Sequence, residues 1–366
     1  MAAIHQFVAG FSNGDAISNE ARVLRNIFRG WGFASDIFCE TRRILPELRR
    51  EVQDASAFAS VCRPEDIVLL HLSIGSVVNE VFASLNCRKA ILYHNITPMH
   101  FFQTVNRQTA MILARGREQT RALAGAAAVN MADSAFNAAE LAELGFRDVR
   151  VLPLLLDLDM LRSKPDAAML AHFRDNKTNV LFVGRCVPNK RIEDAIMAFH
   201  SFQRTVEPNS RFIHAGSYAG TERYYYALQT MVKELALRDC MLIGAVTQAQ
   251  LNALYGAADL FLCMSEHEGF CIPLLEAMQH DVPVLAYAAG AVPETLDGAG
   301  VLVREKNYPQ IAEMMGKLKN DAAFRGAVQC GQQERLNRYR SRNLEQELRA
   351  HLEPLLGNMN SPRHTA

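Results

Sequence analysis

Glu268 and Glu276 enclose seven residues in the stretch Glu268-Gly269-Phe270-Cys271-Ile272-Pro273-Leu274-Leu275-Glu276. The apolar run Leu260–Met264 ahead of it predicts a short buried strand. Gly269 marks a polar loop, and Pro273 suits the first turn of a helix. The loop therefore leaves the carboxyl end of a strand, where the next helix aims its unpaired N–H groups and positive dipole end at a ligand. Carboxylates repel phosphate, so two of them beside such a turn suit hydroxyl-rich groups such as sugars. A second strand-to-helix turn, Gly184-Arg185-Cys186-Val187-Pro188-Asn189-Lys190, follows the buried run Val180-Leu181-Phe182-Val183. Arg185 and Lys190 converge there with a helix start, which is a place for a diphosphate. Their alternative is plain surface charge; the position at a strand's carboxyl end favours ligand contact.

Three turns in the first half carry polar residues toward a common crevice: Gly10 to Asp15, His71 to Ser76, and Tyr93-His94-Asn95-Ile96-Thr97-Pro98. Gly10 and Gly14 suit turn geometry and ligand approach equally. His94 is either a site group or a strand-end histidine with its bonds satisfied. Gly-x-Gly-x-x-Gly is missing from the first turn and the phosphate-loop pattern is missing throughout, which weighs against a dehydrogenase and a phosphate-loop NTPase.

The elements that position these residues alternate. Strands are expected at Ile4–Ala9, Ala34–Cys39, Asp66–Leu72, Lys89–His94, Ala126–Met131 and Val149–Leu152. Helices are expected after the Asp15 cap and from Pro46, Ser76, Phe101 and Ser134. Ile17, Ala21, Leu24, Phe28 and Trp31 form the first helix's apolar stripe, so Trp31 reads as packing. Leu156 to Asn176 is polar and mixed, an interdomain connection. Alternation resumes from Val180 to a short strand at Gly300–Val303, with helices from Pro309, near Asp321 and at Asn343–Leu355. Such βαβ repetition means α/β architecture with parallel sheets.

Length and composition bound the function. The 366 residues are 49% hydrophobic, enough for two cores, and 39 basic residues balance 39 acidic ones. Zero net charge excludes a generally cationic nucleic-acid or membrane binder. Eight scattered cysteines without zinc spacing indicate reduced thiols. No leader pattern and no apolar run near ~18 residues are present, so a cytoplasmic protein is expected. Arg107, Arg115, Arg117 and Arg121 beside Phe101, Met111 and Leu113 allow a peripheral contact with an anionic membrane, against the plainer reading of a solvated helix face.

The sequence resembles the retaining glycosyltransferases of family 4. Its carriers are Glu268-x7-Glu276 with Gly269, Phe270, Pro273, Ala277, Met278 and the following Val282-Pro283-Val284. Phe182-Val183-Gly184-Arg185 with Lys190, Asp133-Ser134-Ala135-Phe136-Asn137, Tyr93-His94-Asn95, and the turn at Gly290, Pro293 and Glu294 support it. Pro153-Leu154-Leu155-Leu156-Asp157 departs from the family's Pro-Asn-Gly-x-Asp, which bears on the interdomain loop.

The resemblance implies the GT-B fold: two Rossmann-like parallel-sheet domains facing across a cleft, with the C-terminal helix returning to the N-terminal domain. Domains are expected at 1–160 (acceptor) and 161–340 (nucleotide-sugar donor), then a helix at 341–357 and a flexible tail at 358–366. By position, Arg185 and Lys190 would bind the donor diphosphate, and Gly269, Phe270, Cys271 and Ile272 would hold the diphosphate or sugar. Glu276 would accept from ribose and Glu268 from the transferred sugar. His94 would lie near the sugar and Gly14 near the phosphates. Glu268, His94, Arg185 and Lys190 make up the implied catalytic set, with no metal and no cofactor beyond the donor substrate. The implied activity is transfer of a hexose from GDP-mannose, or secondly a UDP-sugar, to a glycan or lipid-linked glycan in polysaccharide synthesis. An epimerase or phosphorylase on the same fold and a non-catalytic partner subunit are the alternatives.

Overall fold

Ile4–Val8 and Ile67–Leu72 are buried along their whole length, as is Leu260–Cys263. Strands that lose both faces to the interior belong in parallel sheets covered by helices. The computed structural model describes residues 3–156 and 163–357, and these form two such sheets, in two units.

The first unit falls within Met1–Met99, Gln108–Leu156 and Asn343–Ala366. Its elements are β1 (Ile4–Val8), α1 (Ala16–Gly30), β2 (Ile37–Cys39), β3 (Val52–Asp54), α2 (Ala55–Phe58), β4 (Ile67–Leu72), α3 (Val77–Ser84), β5 (Arg88–Tyr93), α4 (Arg107–Ala122), β6 (Val129–Ala132), α5 (Ala135–Glu143) and β7 (Val149–Val151). The strands form a parallel seven-stranded sheet in the order β3-β2-β1-β4-β5-β6-β7.

The second unit falls within His100–Arg107 and Asp157–Arg342. It runs α6 (Ala167–Phe173), β8 (Thr178–Val183), α7 (Ile192–Thr205), β9 (Ser210–Ala215), α8 (Glu222–Glu234), β10 (Cys240–Gly244), α9 (Gln248–Ala257), β11 (Leu260–Cys263), α10 (Ile272–Gln279), β12 (Val284–Tyr287), α11 (Val292–Leu296), β13 (Val301–Val303), α12 (Tyr308–Asn320) and α13 (Ala322–Ser341). Its six parallel strands lie in the order β10-β9-β8-β11-β12-β13.

The expected alternation holds, with three local differences. The helix expected from Pro46 is replaced by 3-10 turns at Thr41–Arg43 and Pro46–Leu48 and by edge strand β3. The reason is backbone pairing: Phe11 donates to Arg43 O at 3.0 Å and Leu45 donates to Phe11 O at 3.2 Å, which holds this chain extended beside the exit of β1. The helix expected from Phe101 starts at Arg107, because a turn in which Val105 and Asn106 both donate to Phe102 O intervenes. The polar connection contains α6, whose Asp166 cap accepts from Met169 N at 2.8 Å. Asp157 and Asp159 of that connection, and the tail 358–366, lie outside the described residues.

On α1, Asp15 accepts from Ser18 N at 2.8 Å, and Ala21, Leu24 and Phe28 are buried. Trp31 packs against the first unit's core and donates its indole N–H to Glu345 at 2.8 Å. Glu345 belongs to α14 (Leu344–Leu356), which returns to the first unit as expected. Its Leu348, Leu352, Leu355 and Leu356 join Ile4, Leu24 and Phe28 in one core. Arg88 and Arg150 each donate at 2.7 Å to a carbonyl of its last turns, Leu355 O and His351 O. Replacing fully buried Leu352 by Ala should cost about 2–5 kcal/mol. Exposed Gln346→Ala should stay within about 0.5 kcal/mol. Urea denaturation of both variants checks this; equal losses would detach α14 from the core.

Candidate active site

The second sheet reverses its winding between β8 and β11, which are neighbours. A crevice forms at such a point because the helices that follow the two strands leave toward opposite faces. Both loops singled out in the sequence, 184–190 and 264–272, emerge there.

β8 and β9 touch through glycine as they leave the sheet. A Cβ on Gly216 would stand 1.8 Å from Gly184 O, so only glycine fits. His214 donates Nε2–H to that oxygen at 2.9 Å, and burial pushes its value down to about 4, so the ring is neutral. After a 3-10 turn at Pro188–Lys190, Arg191 takes a left-handed conformation (φ 49) that starts α7. Asn189 then clamps the two loops: its carbonyl accepts from Glu266 N at 2.9 Å, and its amide donates to His267 O at 3.0 Å.

The clamp brings Lys190 against Glu268. The ammonium is 2.6 Å from each carboxylate oxygen, with the side chains only 17% and 6% exposed. Burial would lower the lysine, but Glu268 outweighs it and holds Lys190 above its ordinary value. Glu268 is fixed from behind. Its carbonyl accepts from Ala291 N at 2.9 Å, and a Cβ on Gly290 (φ 55) would stand 2.5 Å from the same oxygen. Thr295 Oγ1 donates to Phe270 O, so the Gly290 turn and α11 hold the Gly269-Phe270-Cys271 segment in place. Cys271 adopts the left-handed conformation (φ 71) at the cap of α10, and Ile272 and Pro273 follow in the first turn. Pro273 has no N–H and Leu274 N already donates to Cys271 O at 3.1 Å, so within this first turn it is the Ile272 N–H that lacks an acceptor among the described residues. Glu268, Cys263 and Cys271 bring their donor atoms within 4.8 Å of one another, a set that could hold a metal were Lys190 not already bonded to both carboxylate oxygens.

Glu276 lies one turn into α10 and accepts from Tyr255 Oη at 2.7 Å. Burial pushes its carboxyl up to about 6, and the tyrosine bond limits the rise. Arg185 is exposed, with a 3.5 Å contact to Ala219 O, and makes no ion pair among the described residues. The second unit therefore assembles Arg185, Lys190, Glu268, Gly269, Phe270, Cys271, Ile272 and Glu276 on two adjacent loops and one helix.

Gly14 and His94 belong to the first unit, where winding reverses between β1 and β4. Gly14 has φ 72, a conformation that favours glycine, just before the Asp15 cap. The His94 side chain, just beyond β5, is 2% exposed. Its Nε2 is 3.0 Å from His71 Nδ1 and its Nδ1 is 3.4 Å from Asp133 Oδ2.

Sequence reasoning missed Asn189, Tyr255 and an ionic cluster beside the Glu266 loop. There Lys306 bonds Glu266 at 2.7 Å and also Asp194, while Tyr308 and Arg191 reach Asp194 at 2.8 and 3.0 Å. Lys306 and Asp194 lie 112 positions apart, so no local motif announces the cluster. Asn189 sits between two residues that were singled out, and its side chain's role shows only in three dimensions.

Residues 171–339 match the family model of glycosyl transferases group 1. The chain is similar to O-antigen chain mannosyltransferase B of Escherichia coli, 29% identical over 160 residues that cover 42% of this chain and 41% of that protein. It is also similar to a GDP-mannose-dependent alpha-(1-6)-phosphatidylinositol monomannoside mannosyltransferase of Mycobacterium tuberculosis, 28% identical over 46% of each. The matched region thus spans less than half the length of these curated relatives. Among solved structures, Anabaena Alr3699/HepE in complex with UDP and glucose aligns with TM-score 0.74 at 16% identity, covering 96% of this chain and all of that one. Sucrose-phosphate synthase from Thermosynechococcus elongatus aligns with TM-score 0.75 at 17% identity over 97% of this chain and all of that one. The loops that hold Lys190 and Glu268 thus lie inside the region that matches glycosyl transferases group 1, in a chain with the GT-B fold.

Proposed function

We propose that the chain is a retaining, metal-independent hexosyltransferase. It would move a sugar from a nucleoside-diphosphate donor, GDP-mannose first and a UDP-sugar second, to a hydroxyl of a glycan or lipid-linked glycan in cell-surface polysaccharide synthesis. The carrying observation is the Lys190–Glu268 pair beside exposed Arg185, at the β8/β11 switch point and inside the region that matches the family. Mannosyltransferase relatives favour the mannose donor; the UDP named for Alr3699/HepE keeps the uridine donor second.

The chemistry follows from charge. A diphosphate entering beside Lys190 competes with Glu268 for the ammonium, and the carboxylate it releases can accept from sugar hydroxyls. Arg185 and the donors of the Gly269–Ile272 turn then meet the negative charge that grows on the departing diphosphate. In front-face substitution the anomeric C–O bond to phosphate breaks, the acceptor oxygen bonds the same face, and the acceptor proton passes to the leaving phosphate oxygen. Glu268 orients the cationic sugar without attacking it, and Glu276 accepts from ribose. A peripheral membrane contact through Arg107–Arg121 is supported by exposed Met111, Arg107 and Arg121; Arg115 and Arg117 are engaged by Glu80 and Glu140. No helix among the described residues is long and apolar enough to cross a membrane.

Three measurements test this reading. In a thermal-shift panel GDP and GDP-mannose should raise Tm more than UDP and UDP-glucose, since a ligand of the native state stabilises it. No shift from any nucleotide would favour a non-catalytic subunit, and conversion of donor without acceptor would favour an epimerase. Lys190→Ala should lower turnover about 10²–10³-fold, in line with loss of a preorganised charge contact. It should also cost about 3–5 kcal/mol of stability by leaving Glu268 buried and unpaired, and Lys190→Ala/Glu268→Ala should recover part of that loss. Near-normal turnover of the single variant would remove Lys190 from the chemistry. The third is pH dependence. Glu276 is raised from 4.5 to about 6, so the folded chain takes this proton more readily than the unfolded one, and the group's contribution to stability declines as pH rises from 4.5 to 6. The hydroxyl-accepting anion is lost in the other direction. Nucleotide affinity measured by calorimetry should therefore weaken as pH falls below about 6, and Glu276→Gln should flatten that dependence.

A further inference from the structure

A chain of hydrogen bonds at the first unit's switch point fixes where its protons sit. Gln6 on β1 donates its amide N–H to Ala21 O at 2.9 Å, and a carbonyl can only accept, so the amide orientation is set. Gln6 Oε1 therefore faces His71 Nε2 at 3.0 Å, and that nitrogen must carry a proton. Burial holds His71 well below the ordinary histidine value, so the ring is neutral and its Nδ1 is a bare acceptor. The nitrogen 3.0 Å from this lone pair is His94 Nε2, which must in turn be protonated. At the other side of the His94 ring, Nδ1 meets Asp133 Oδ2 at 3.4 Å, and a carboxylate calls for a second N–H. The Asp133 carboxylate is itself held by Asn137, which donates to Oδ1 at 2.5 Å.

Glu20 on α1 completes the surroundings. Its carboxylate is buried, Oε1 accepts from Leu155 N at 3.1 Å, and Oε2 has no hydrogen-bond partner among the described residues. That oxygen lies 3.5 Å from His94 Nε2 and 3.9 Å from His71 Nδ1. When Glu20 is ionised, its charge there attracts a second proton onto the nearer titratable ring.

We propose that Glu20 and Asp133 are positioning residues that favour the doubly protonated form of His94, so that the carboxyl end of β5 carries a cation, with His71 as its neutral acceptor. Its kinetic readout rests on the transfer reading above. As a statement about protons it stands without that reading. Burial alone would lower His94, but Asp133, Glu20 and, more distantly, Asp15 overcome it and raise the ring above 6.5. Burial lifts Glu20 to about 7, with His94 opposing the rise, so the two groups compete for protons over the same range. His71 and these three carboxylates are the titratable groups that face the ring from α1, its cap, β4 and the end of β6.

The experiment is ¹⁵N NMR of the full chain with ring-labelled histidine, titrated from pH 5 to 9. Wild-type His94 should show both ring nitrogens protonated at pH 7, with its midpoint above 6.5. Glu20→Gln should move that midpoint down by about one unit or more, the scale on which a neighbouring opposite charge acts, and Glu20→Asp should restore most of it. Asp133→Asn gives an independent reading if Glu20→Gln misfolds: the ring should become neutral at pH 7. A transfer assay with GDP-mannose then reads the pH profile, whose alkaline limb should shift downward with the NMR midpoint in each variant. A bare His94 nitrogen at pH 7 in the wild type, or an unmoved midpoint in both variants, overturns the proposal. NMR results as expected without transfer by the wild type would overturn the proposed function and leave the proton assignment standing.

Discussion

A lysine ammonium bonded to both oxygens of a buried carboxylate is the constraint around which the second unit is arranged. Taking either charge out of water alone costs several kcal/mol, and their attraction offsets this only when the geometry is held closely. Neighbouring features supply that hold. Asn189 ties the lysine's loop to the glutamate's loop, Gly290 admits the backbone of its turn to within contact of Glu268 O, and Thr295 fixes Phe270. Backbone cost is accepted for the same end. Cys271 and Arg191 sit in left-handed conformations that non-glycine residues rarely adopt, and each starts the helix that follows its loop.

The two switch points handle charge differently. In the second unit Lys190 and Glu268 neutralise each other locally while Arg185 stays exposed to solvent. In the first, a run of hydrogen bonds from Gln6 through His71 to His94 and Asp133 distributes protons across four strands of one sheet and the helix after its first strand. Each suits its backbone. Loops can exchange partners when a ligand arrives, whereas side chains at strand ends within a buried sheet are held by register.

Much of this was legible in the sequence because it is written locally. Apolar runs announced the strands, Asp15 and Ser134 announced caps that the structure uses, and the spacing of Glu268, Pro273 and Glu276 announced a strand, a turn and a helix. Pairings across the chain were not legible. Lys190 and Glu268 were both singled out, yet nothing in their separation of 78 positions says that they bond each other. The helix expected at Pro46 failed for a similar reason: Leu45 gives its N–H to Phe11, more than thirty positions away, and local propensity loses to that bond. A seven-residue helix such as α6, set among polar residues, has too little periodicity to stand out.

The return of α14 to the first sheet also bears on how the chain can be made. Leucines 348, 352, 355 and 356 pack with Ile4 and Leu24, so the first core has residues from both extremes of the described chain. A ribosome releases Ile4 long before Leu352. The second sheet, whose strands all lie between residues 178 and 303, can close while the first still waits for its last helix. The earliest-made sheet is thus the last to be sealed, and during synthesis its apolar face near Phe28 and Met131 stays open to chaperones or to misassembly with other chains.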